Sequence, residues 1–239
     1  MTPNLSIIIP TLNEEEYLSK TIDTILERAY RPGSVEVIVI DAGSTDKTES
    51  IAKQRNVHFV SRASFAGKKY ESLNLGLALS KGENLLFLDA DTIVPHHFDL
   101  LIQDSLKNES AIGGAFEFSF YSKDWKLYLL QGINRIRYRF GQVYYGDQGI
   151  FCKKHLAEKV GGFPKKELME SAFFCKELRK HGSLKLIKKP VETSPRRFIE
   201  NGFFKVSWFD FTMWIRFIFN LSVDQYGKNY WQVNAKTNG

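Results

Sequence analysis

The stretch that decides the fold is Glu83-Asn84-Leu85-Leu86-Phe87-Leu88-Asp89-Ala90-Asp91-Thr92. Its short continuous apolar run, Leu85 to Leu88, is typical of a strand buried on both faces of a parallel sheet. Because ligands of open α/β sheets bind at the carboxyl ends of the strands, Asp89 and Asp91 are predicted at the rim of a site. Carboxylate oxygens suit Mg²⁺ or Mn²⁺, and Mg²⁺ is usually held by one or two carboxylates together with substrate phosphates. An isolated Asp-x-Asp is also common as a strand that ends in solvated acids, so the rest of the sequence has to decide.

Size and composition predict one large α/β domain, because the chain has 239 residues, of which 43% are apolar and 25% charged. The net charge of +6 favours anionic partners such as nucleotides, phosphorylated substrates or an acidic membrane surface. The basic residues are dispersed, so no nucleic-acid partner is predicted. Cys152 and Cys175 have neither metal-binding nor disulfide-scaffold spacing, and the N-terminus has no signal-peptide pattern. These features predict a cytoplasmic protein.

Apolar runs alternate with helical patterns from the start of the chain to Thr92. The predicted strands are 5–10, 35–40, 57–60 and the run described above. The predicted helices end near Arg28, Gln54 and Ser80. Three acids, Glu14 to Glu16, are expected in the first turn of the first helix, and Ser44 or Thr45 is expected to cap the second. This order predicts a Rossmann-like, doubly wound, mostly parallel sheet with helices on both faces. Every strand ends in a polar loop, which gathers the chemistry along one edge.

The pattern after Thr92 is less regular and predicts mixed strands. Helices are expected over 98–106, 125–140 and 168–181, and strands over 111–120, 184–187 and 191–193. The stretch 203–219 is densely aromatic, but Lys205, Asp210 and Arg216 interrupt it, so it is not predicted to span a membrane. Tryptophan and phenylalanine with flanking basic residues suit a helix at a membrane interface. The alternative is a helix packed on the core or on a second subunit.

Several segments together resemble the family 2 glycosyltransferases, inverting enzymes of the GT-A fold that use nucleotide sugars. The matching segments are Ser-Ile-Ile-Ile-Pro-Thr-Leu-Asn-Glu at 6–14, Val-Ile-Asp-Ala-Gly-Ser-Thr-Asp at 39–46, Leu-Phe-Leu-Asp-Ala-Asp at 86–91, and Gly-Gly-Phe at 161–163. The resemblance extends from Ser6 to about Phe198 and is strongest to short bacterial-type members without transmembrane segments. It implies a single glycosyltransferase domain, 1–239. Residues 1–92 would form the nucleotide-binding half, 93–200 the acceptor side, and 201–239 the aromatic helix and tail.

The resemblance also implies a metal and nucleotide site. A Mg²⁺ or Mn²⁺ ion would stabilise the leaving nucleoside diphosphate as a Lewis acid. Asp91 would be its direct ligand, and Asp89 would meet the ribose or reach the ion through water. The positions that match the nucleoside pocket are Pro10, Thr11, Asn13, Glu14 and Asp41. Asp41 could instead be a turn or capping aspartate.

Further nucleotide contacts are expected from basic and amide side chains. Lys68, beside Lys69, matches a basic position that faces the nucleotide, and Asn74 could bond the ribose or cap a turn. Arg197, and less strongly Arg196, matches the arginine of the family's Gln-x-x-Arg-Trp signature, a natural partner of the diphosphate. Ala42 replaces an acid that often contacts the base, so the donor base stays open.

The general base is the main departure from the family. An inverting transfer commonly uses a carboxylate beside the acceptor hydroxyl, and Ser171 stands where the catalytic aspartate is expected. Glu170 or Asp147 is then the candidate base, unless the protein is a catalytically weak or inactive nucleotide-sugar binder. A nucleotidyltransferase of the same fold is disfavoured, because no Gly-rich basic loop follows the first strand.

The expected partners are a nucleotide-sugar donor and an acceptor that the sequence does not identify. A lipid-linked acceptor would favour peripheral contact with the inner face of the membrane through the aromatic helix. A homodimer through that helix is the alternative.

Overall fold

One mixed sheet carries the residues that the sequence places in strands. The computed structural model describes residues 2–122, 124–141 and 144–227. Its strands are β1 (Leu5–Thr11), β2 (Val35–Asp41), β3 (His58–Ser61), β4 (Asn84–Phe87), β5 (Thr92–Ile93), β6 (Ala111–Phe120), β7 (Ile150–Lys153) and β8 (Ser183–Thr193). They lie in the order β3-β2-β1-β4-β7-β6-β8-β5. The helices are α1 (Leu18–Arg28), α2 (Thr48–Gln54), α3 (Lys69–Leu79), α4 (Phe98–Leu106), α5 (Trp125–Gly141), α6 (Lys154–Lys159), α7 (Glu170–Leu178), α8 (Arg196–Asn201) and α9 (Phe203–Ile218).

The first four strands form the predicted parallel half. β1 pairs in parallel with both β2 and β4, and β2 pairs in parallel with β3. Ile7, Ile8 and Ile9 are all fully buried, since both faces of β1 are covered. This is why the strand reads as a continuous apolar run and not as an alternating one. The mostly parallel doubly wound prediction is confirmed for this half.

The second half of the sheet is mixed, as predicted, but its last long strand is not divided. β7 is antiparallel to both β4 and β6, whereas β8 is parallel to β6. The sequence predicted two short strands on either side of Lys188-Lys189-Pro190. β8 instead runs through them, with a register irregularity opposite Phe116 and Glu117. A bulge of this kind absorbs extra residues without ending a strand, so the predicted break was wrong.

Two predicted helix starts were also wrong. α1 begins at Leu18, so Glu14, Glu15 and Glu16 precede it. The Glu14 carbonyl accepts the Leu18 N–H and closes the first turn. α2 begins at Thr48, whose N–H donates to the Asp46 carboxylate at 2.9 Å. The residues predicted to cap α2, Ser44 and Thr45, lie in the preceding loop and contact the β1 loop instead.

The C-terminal helix α9 packs against α7 through one face. A second apolar cluster, separate from the main core around the sheet, joins the two helices. Its buried members are Leu168, Met169, Ala172, Met213, Phe217 and Val223. One face of α9 therefore packs within the protein, in line with the core-packing alternative, and what contacts its other face stays open. Among the described residues, no helix is long and apolar enough to cross a membrane. Residues 228–239 of the predicted tail lie outside the described part of the chain.

Candidate functional site

A charged cluster lies where the loops after β1 and β4 meet the end of β8. The Arg196 guanidinium donates two hydrogen bonds to the Glu14 carboxylate, at 2.8 and 2.6 Å. Its Nε lies 3.4 Å from Asp91 Oδ2. The guanidinium also stacks over the Tyr17 ring, 4.7 Å from its centroid. Arg196 therefore joins the acid of the first strand's loop to the second acid of the Asp-x-Asp pair.

Burial controls the charge of this cluster. The Glu14 and Asp91 side chains are only 13% and 12% exposed. Burial raises the pKa of Glu14 to about 7, although Arg196 acts in the opposite direction. Burial likewise raises the pKa of Asp91, which Arg196 again opposes. The Thr193 hydroxyl supplies a further hydrogen bond to Asp91 Oδ1, at 3.3 Å. The two carboxylates therefore depend on a nearby positive charge to stay ionised.

Asp89 faces a different partner, Lys69, whose Nζ lies 2.5 Å from Asp89 Oδ1. The prediction named Lys68 as the lysine at the nucleotide. The Lys68 ammonium donates to the Ser64 carbonyl at 3.1 Å and lies close to Glu71, so in this structure Lys69 is the lysine that contacts the Asp-x-Asp pair. Lys69 is the first residue of α3, and Lys68 precedes the helix with a non-helical backbone.

A cleft of about 200 Å³ lies beside the ion pair between Lys69 and Asp89. The polar side chains that line it include Lys69, Asp89, Asn134, Asp147, Glu167, Glu170, Ser171, Arg197 and Asp210, and the apolar ones include Phe118, Phe120, Leu130, Leu168, Met169, Phe198, Phe209 and Met213. These residues come from β6, α3, α5, α7, α8 and α9, from the loop after β4 and from the segments before β7 and α7. The cleft thus combines several carboxylates with a large apolar surface.

Glu170 and Ser171 both line this cleft at the start of α7. The Ser171 hydroxyl donates to Glu170 Oε1 at 3.1 Å. Burial raises the pKa of Glu170, and the charge of Lys69 partly opposes this. Met169 just before the helix has a left-handed backbone, with φ of 61°, which turns the chain sharply into α7. Glu170 therefore reaches the cleft although it lies one residue before the expected catalytic position.

Asp147 lines the same cleft from a short 3-10 helix, Gly146–Gln148. A Cβ at Gly146 would lie 3.0 Å from Lys69 Nζ and 3.4 Å from the Asp89 carboxylate. The loop therefore approaches the Asp89 pair closely through a residue without a side chain. Both candidate bases of the sequence prediction lie in one cleft with the first acid of the Asp-x-Asp pair.

The remaining residues predicted to contact the nucleoside make contacts with other residues of the protein in this structure. Asp41 is buried, and its carboxylate accepts from the N–H groups of Gly43 and Ser44 and from the Ser61 hydroxyl. The Thr11 hydroxyl lies 3.4 Å from the same carboxylate. These contacts favour the turn-aspartate alternative that the sequence left open. Pro10 lies within β1, at the same register as Ile40.

Asn13 and Asn74 also hold loops together. Asn13 has a left-handed backbone, and its Oδ1 accepts the Thr45 N–H at 2.9 Å. Asn74 accepts the Phe163 N–H at 2.7 Å and donates to the Phe163 carbonyl at 2.9 Å. The Asn74 amide thereby joins α3 to the Gly161-Gly162-Phe163 loop. In the structure the Asn74 amide is engaged by the Phe163 backbone groups, and the ribose contact stays a prediction.

The two arginines of the partial signature separate. Arg196 enters the Glu14 cluster, whereas Arg197 pairs with Asp210 of α9 and lines the cleft. The less favoured of the two predicted arginines, Arg196, is thus the one that contacts Asp91. Two residues of this cluster were not named from the sequence: Thr193, which bonds to Asp91, and Tyr17, which stacks on Arg196. A threonine at the end of β8 could have been noticed, because strand ends converge on the site.

The donor set fits a divalent ion only in cooperation with a substrate. Within the described residues, no group of three or more His, Cys, Asp or Glu side chains is arranged to hold a metal. Asp89 and Asp91 offer two carboxylates, each now paired with a cation. Mg²⁺ sites of this kind use one or two carboxylates and complete the shell with phosphate oxygens and water. The residues therefore fit a metal that arrives with a phosphorylated ligand.

These features define an α/β protein with an acidic site at the strand ends and an adjoining amphipathic cleft. The model of the family named Glycosyl transferase family 2 matches residues 6–157. The chain belongs to this family.

Known relatives and structures agree with this assignment. The glycosyltransferase AglE of Haloferax volcanii is 35% identical over 94 residues, which cover 37% of this chain and 31% of that protein. The mannosyltransferase PcManGT of Pyrobaculum calidifontis, solved with GDP-Man and Mn²⁺, superposes with a TM-score of 0.63 at 24% identity. That superposition covers 80% of this chain and 55% of the other.

A structure of S. aureus TarS, residues 1–349 with UDP-GlcNAc, gives a TM-score of 0.60 at 19% identity, over 80% of this chain and 58% of the other. These likenesses confirm the predicted GT-A fold. The chain spans about a third of the curated relatives it matches.

Proposed function

We propose that this protein transfers a glycosyl group from a nucleotide-sugar donor to an acceptor hydroxyl, with a divalent metal and with inversion at the anomeric carbon. The observation that carries the proposal is the pairing of acidic and basic side chains at the edge of the sheet where the parallel strands end. There, Asp91 lies beside Arg196 and Asp89 beside Lys69, and Lys69 and Asp89 line the same cleft as Glu170. Residues 1–92 form the nucleotide-binding half and 93–200 the acceptor side of one domain, 1–239.

In this proposal the donor diphosphate binds between the acids and the cations. Asp91, with Asp89, would hold Mg²⁺ or Mn²⁺, which would neutralise the charge that develops on the leaving nucleoside diphosphate. Arg196 can donate a bidentate pair to phosphate, as it now does to Glu14. Lys69 provides a second positive charge beside Asp89. The donor base stays open, since the known structures above hold either a guanosine or a uridine donor.

Glu170 is the proposed general base. The acceptor oxygen forms a bond to the anomeric carbon while the bond from that carbon to the diphosphate oxygen breaks. The acceptor proton passes to the Glu170 carboxylate, and the nucleoside diphosphate leaves from the opposite face, which inverts the configuration. A buried carboxyl with a raised pKa suits this role, because a base works best when its pKa lies near the working pH. Asp147, on the same cleft, is the second candidate.

The cellular setting belongs to the same proposal. The protein would act in the cytoplasm on an acceptor of unknown structure. The aromatic helix α9 would contact either a second copy of the chain or the inner face of the membrane, as it would if the acceptor were lipid-linked.

The test is nucleoside diphosphate release from a panel of nucleotide sugars, with Mn²⁺ or with a chelator. Turnover is expected with at least one donor and is expected to stop with the chelator. Asp91→Asn should abolish the response to Mn²⁺, whereas Asp104→Asn, a surface acid on α4, should leave it intact. Nucleotide binding without turnover for any donor or acceptor would instead favour the non-catalytic binder. A metal response that survives Asp91→Asn would refute the metal assignment.

A further inference from the structure

Two helices that border the cleft carry outward aromatic faces. On α9, Phe204 and Trp208 are 78% and 71% exposed, Phe211 and Ile218 continue the same side at helical spacing, and the exposed Phe219 follows the helix directly. On α5, Trp125 is 68% exposed and is followed by Tyr128, Leu129 and Ile133. Solvent-exposed aromatic faces of this extent mark contact surfaces. We call these two faces together the aromatic rim.

The rim is distinct from the faces that pack. α9 buries Val206, Met213 and Phe217 on its other side. α5 turns Leu130 and Asn134 toward the cleft, as α9 does with Phe209 and Met213. Each helix therefore has one side in the cleft wall or the core and another side in solvent. The rim residues contribute nothing to the described core, so their apolar character needs another explanation.

The charge of the two helices identifies what covers the rim. Among the side chains that the structure describes on α5 and α9, Lys126, Arg135, Lys205 and Arg216 are basic, and Asp210 is the one acidic residue. The Asp210 carboxylate is already paired with Arg197. An isologous contact with a second copy would bring these like-charged helices together, which opposes dimerisation. An anionic bilayer surface suits both the exposed aromatic side chains and the positive charge. It accepts aromatic side chains at the headgroup level, and its negative charge attracts the basic residues.

We propose that the aromatic rim docks onto an anionic phospholipid bilayer and turns the cleft toward the membrane surface. This inference rests on the proposed function for the role of the cleft, and it identifies the acceptor as an amphiphile presented at that surface. The apolar residues that line the cleft, among them Phe118 and Phe198, would then contact the apolar part of that acceptor in the cleft that Glu170 also lines. The helices would lie in the interface without crossing it.

The test is sedimentation of the full chain with phosphatidylcholine vesicles, with and without about one-third phosphatidylglycerol. We expect binding to the anionic vesicles and a loss of binding at high salt. The double variant Trp208→Ser, Phe211→Ser should weaken partitioning by about a hundredfold, since each side chain buries enough apolar surface for at least about tenfold. Tyr30→Ser removes an exposed aromatic outside the rim and serves as the matched control. Brominated lipid should quench tryptophan fluorescence, and less so in a variant with Trp125→Phe and Trp208→Phe.

Several results would overturn the inference. The protein could stay in the supernatant with every vesicle, or Tyr30→Ser could weaken binding as much as the rim variant does. A dimer that the rim variant dissociates, without any vesicle binding, would make the rim an interface between copies. The thermal midpoint of each variant checks folding, and it should move by no more than about 2 °C for these exposed positions. Diphosphate release without vesicle binding would refute only this inference, whereas vesicle binding without turnover would refute only the proposed function.

Discussion

Replacing Arg196 by alanine should destabilise the protein more than loss of a surface arginine does. The change leaves the Glu14 and Asp91 carboxylates, 13% and 12% exposed, without the guanidinium that contacts both. Removing one partner of a buried ion pair costs about 3–5 kcal/mol, and an exposed pair contributes about 0–1 kcal/mol. Arg196 itself is 31% exposed, so solvent reduces the loss, and about 2 kcal/mol is expected. For a domain of this size the thermal midpoint should fall by about 4–8 °C.

A second arginine provides the matched control for this measurement. Arg55 also makes a bidentate contact with a carboxylate, that of Asp23, at 2.7 and 2.9 Å, but this carboxylate is 42% exposed, so it stays solvated when the arginine is removed. Arg55→Ala should lower the midpoint by less than about 4 °C. Thermal unfolding of the full chain followed by circular dichroism measures both. Equal losses in the two variants would refute the view that Arg196 holds buried acids together.

Three further predictions concern the cleft and its loops. Glu170→Gln should lower turnover by about 10²–10⁴ while nucleotide affinity persists, and a loss confined to Asp147→Asn would move the base to that residue. Because burial raises the pKa of Glu170, the wild-type rate should fall as pH drops through a value above the usual 4.5, and a pH–rate profile without this limb would contradict the assignment. Asn74→Ala should cost about 1–3 kcal/mol of stability, seen in urea unfolding, because it leaves the Phe163 backbone groups unpaired. A large loss of nucleotide affinity without loss of stability would instead support the ribose contact that the sequence suggested.

The parallel half of the fold could be predicted because burial on both faces leaves a plain signal. Strands such as β1 and β4 have almost no polar residue between their loops, and a turn or a polar loop closes each one. The second half gives a weaker signal. β8 contains Lys188, Lys189 and Pro190 in mid-strand, and a bulge lets it pair across them. No local pattern distinguishes this arrangement from two short strands.

The location of the candidate site could be predicted from the sequence, but the contacts of each side chain could not. Because parallel strands end at one edge of a sheet, Asp89 and Asp91 were expected there, and the structure has them at that edge. The choice between Lys68 and Lys69 depends on where α3 begins, because Lys68 precedes the helix and Lys69 is its first residue, and composition does not determine that boundary. A similar difficulty separates Arg196 from Arg197 at the start of α8. Motif matching favoured Arg197, and only the tertiary contacts with Glu14 and Asp91 bring Arg196 into the cluster.

Asp41 and Asn74 show why residue type alone overestimates ligand contacts at such an edge. The loops after parallel strands leave backbone N–H and C=O groups without sheet partners, and a buried group of this kind must be paired. Short polar side chains are the nearest partners. Asp41 accepts the N–H groups of Gly43 and Ser44, and Asn74 pairs with both backbone groups of Phe163. These residues therefore shape the loops that a nucleotide would meet. The side chains left facing the cleft, Glu170 and Lys69 among them, are the ones whose substitution should change chemistry before it changes stability.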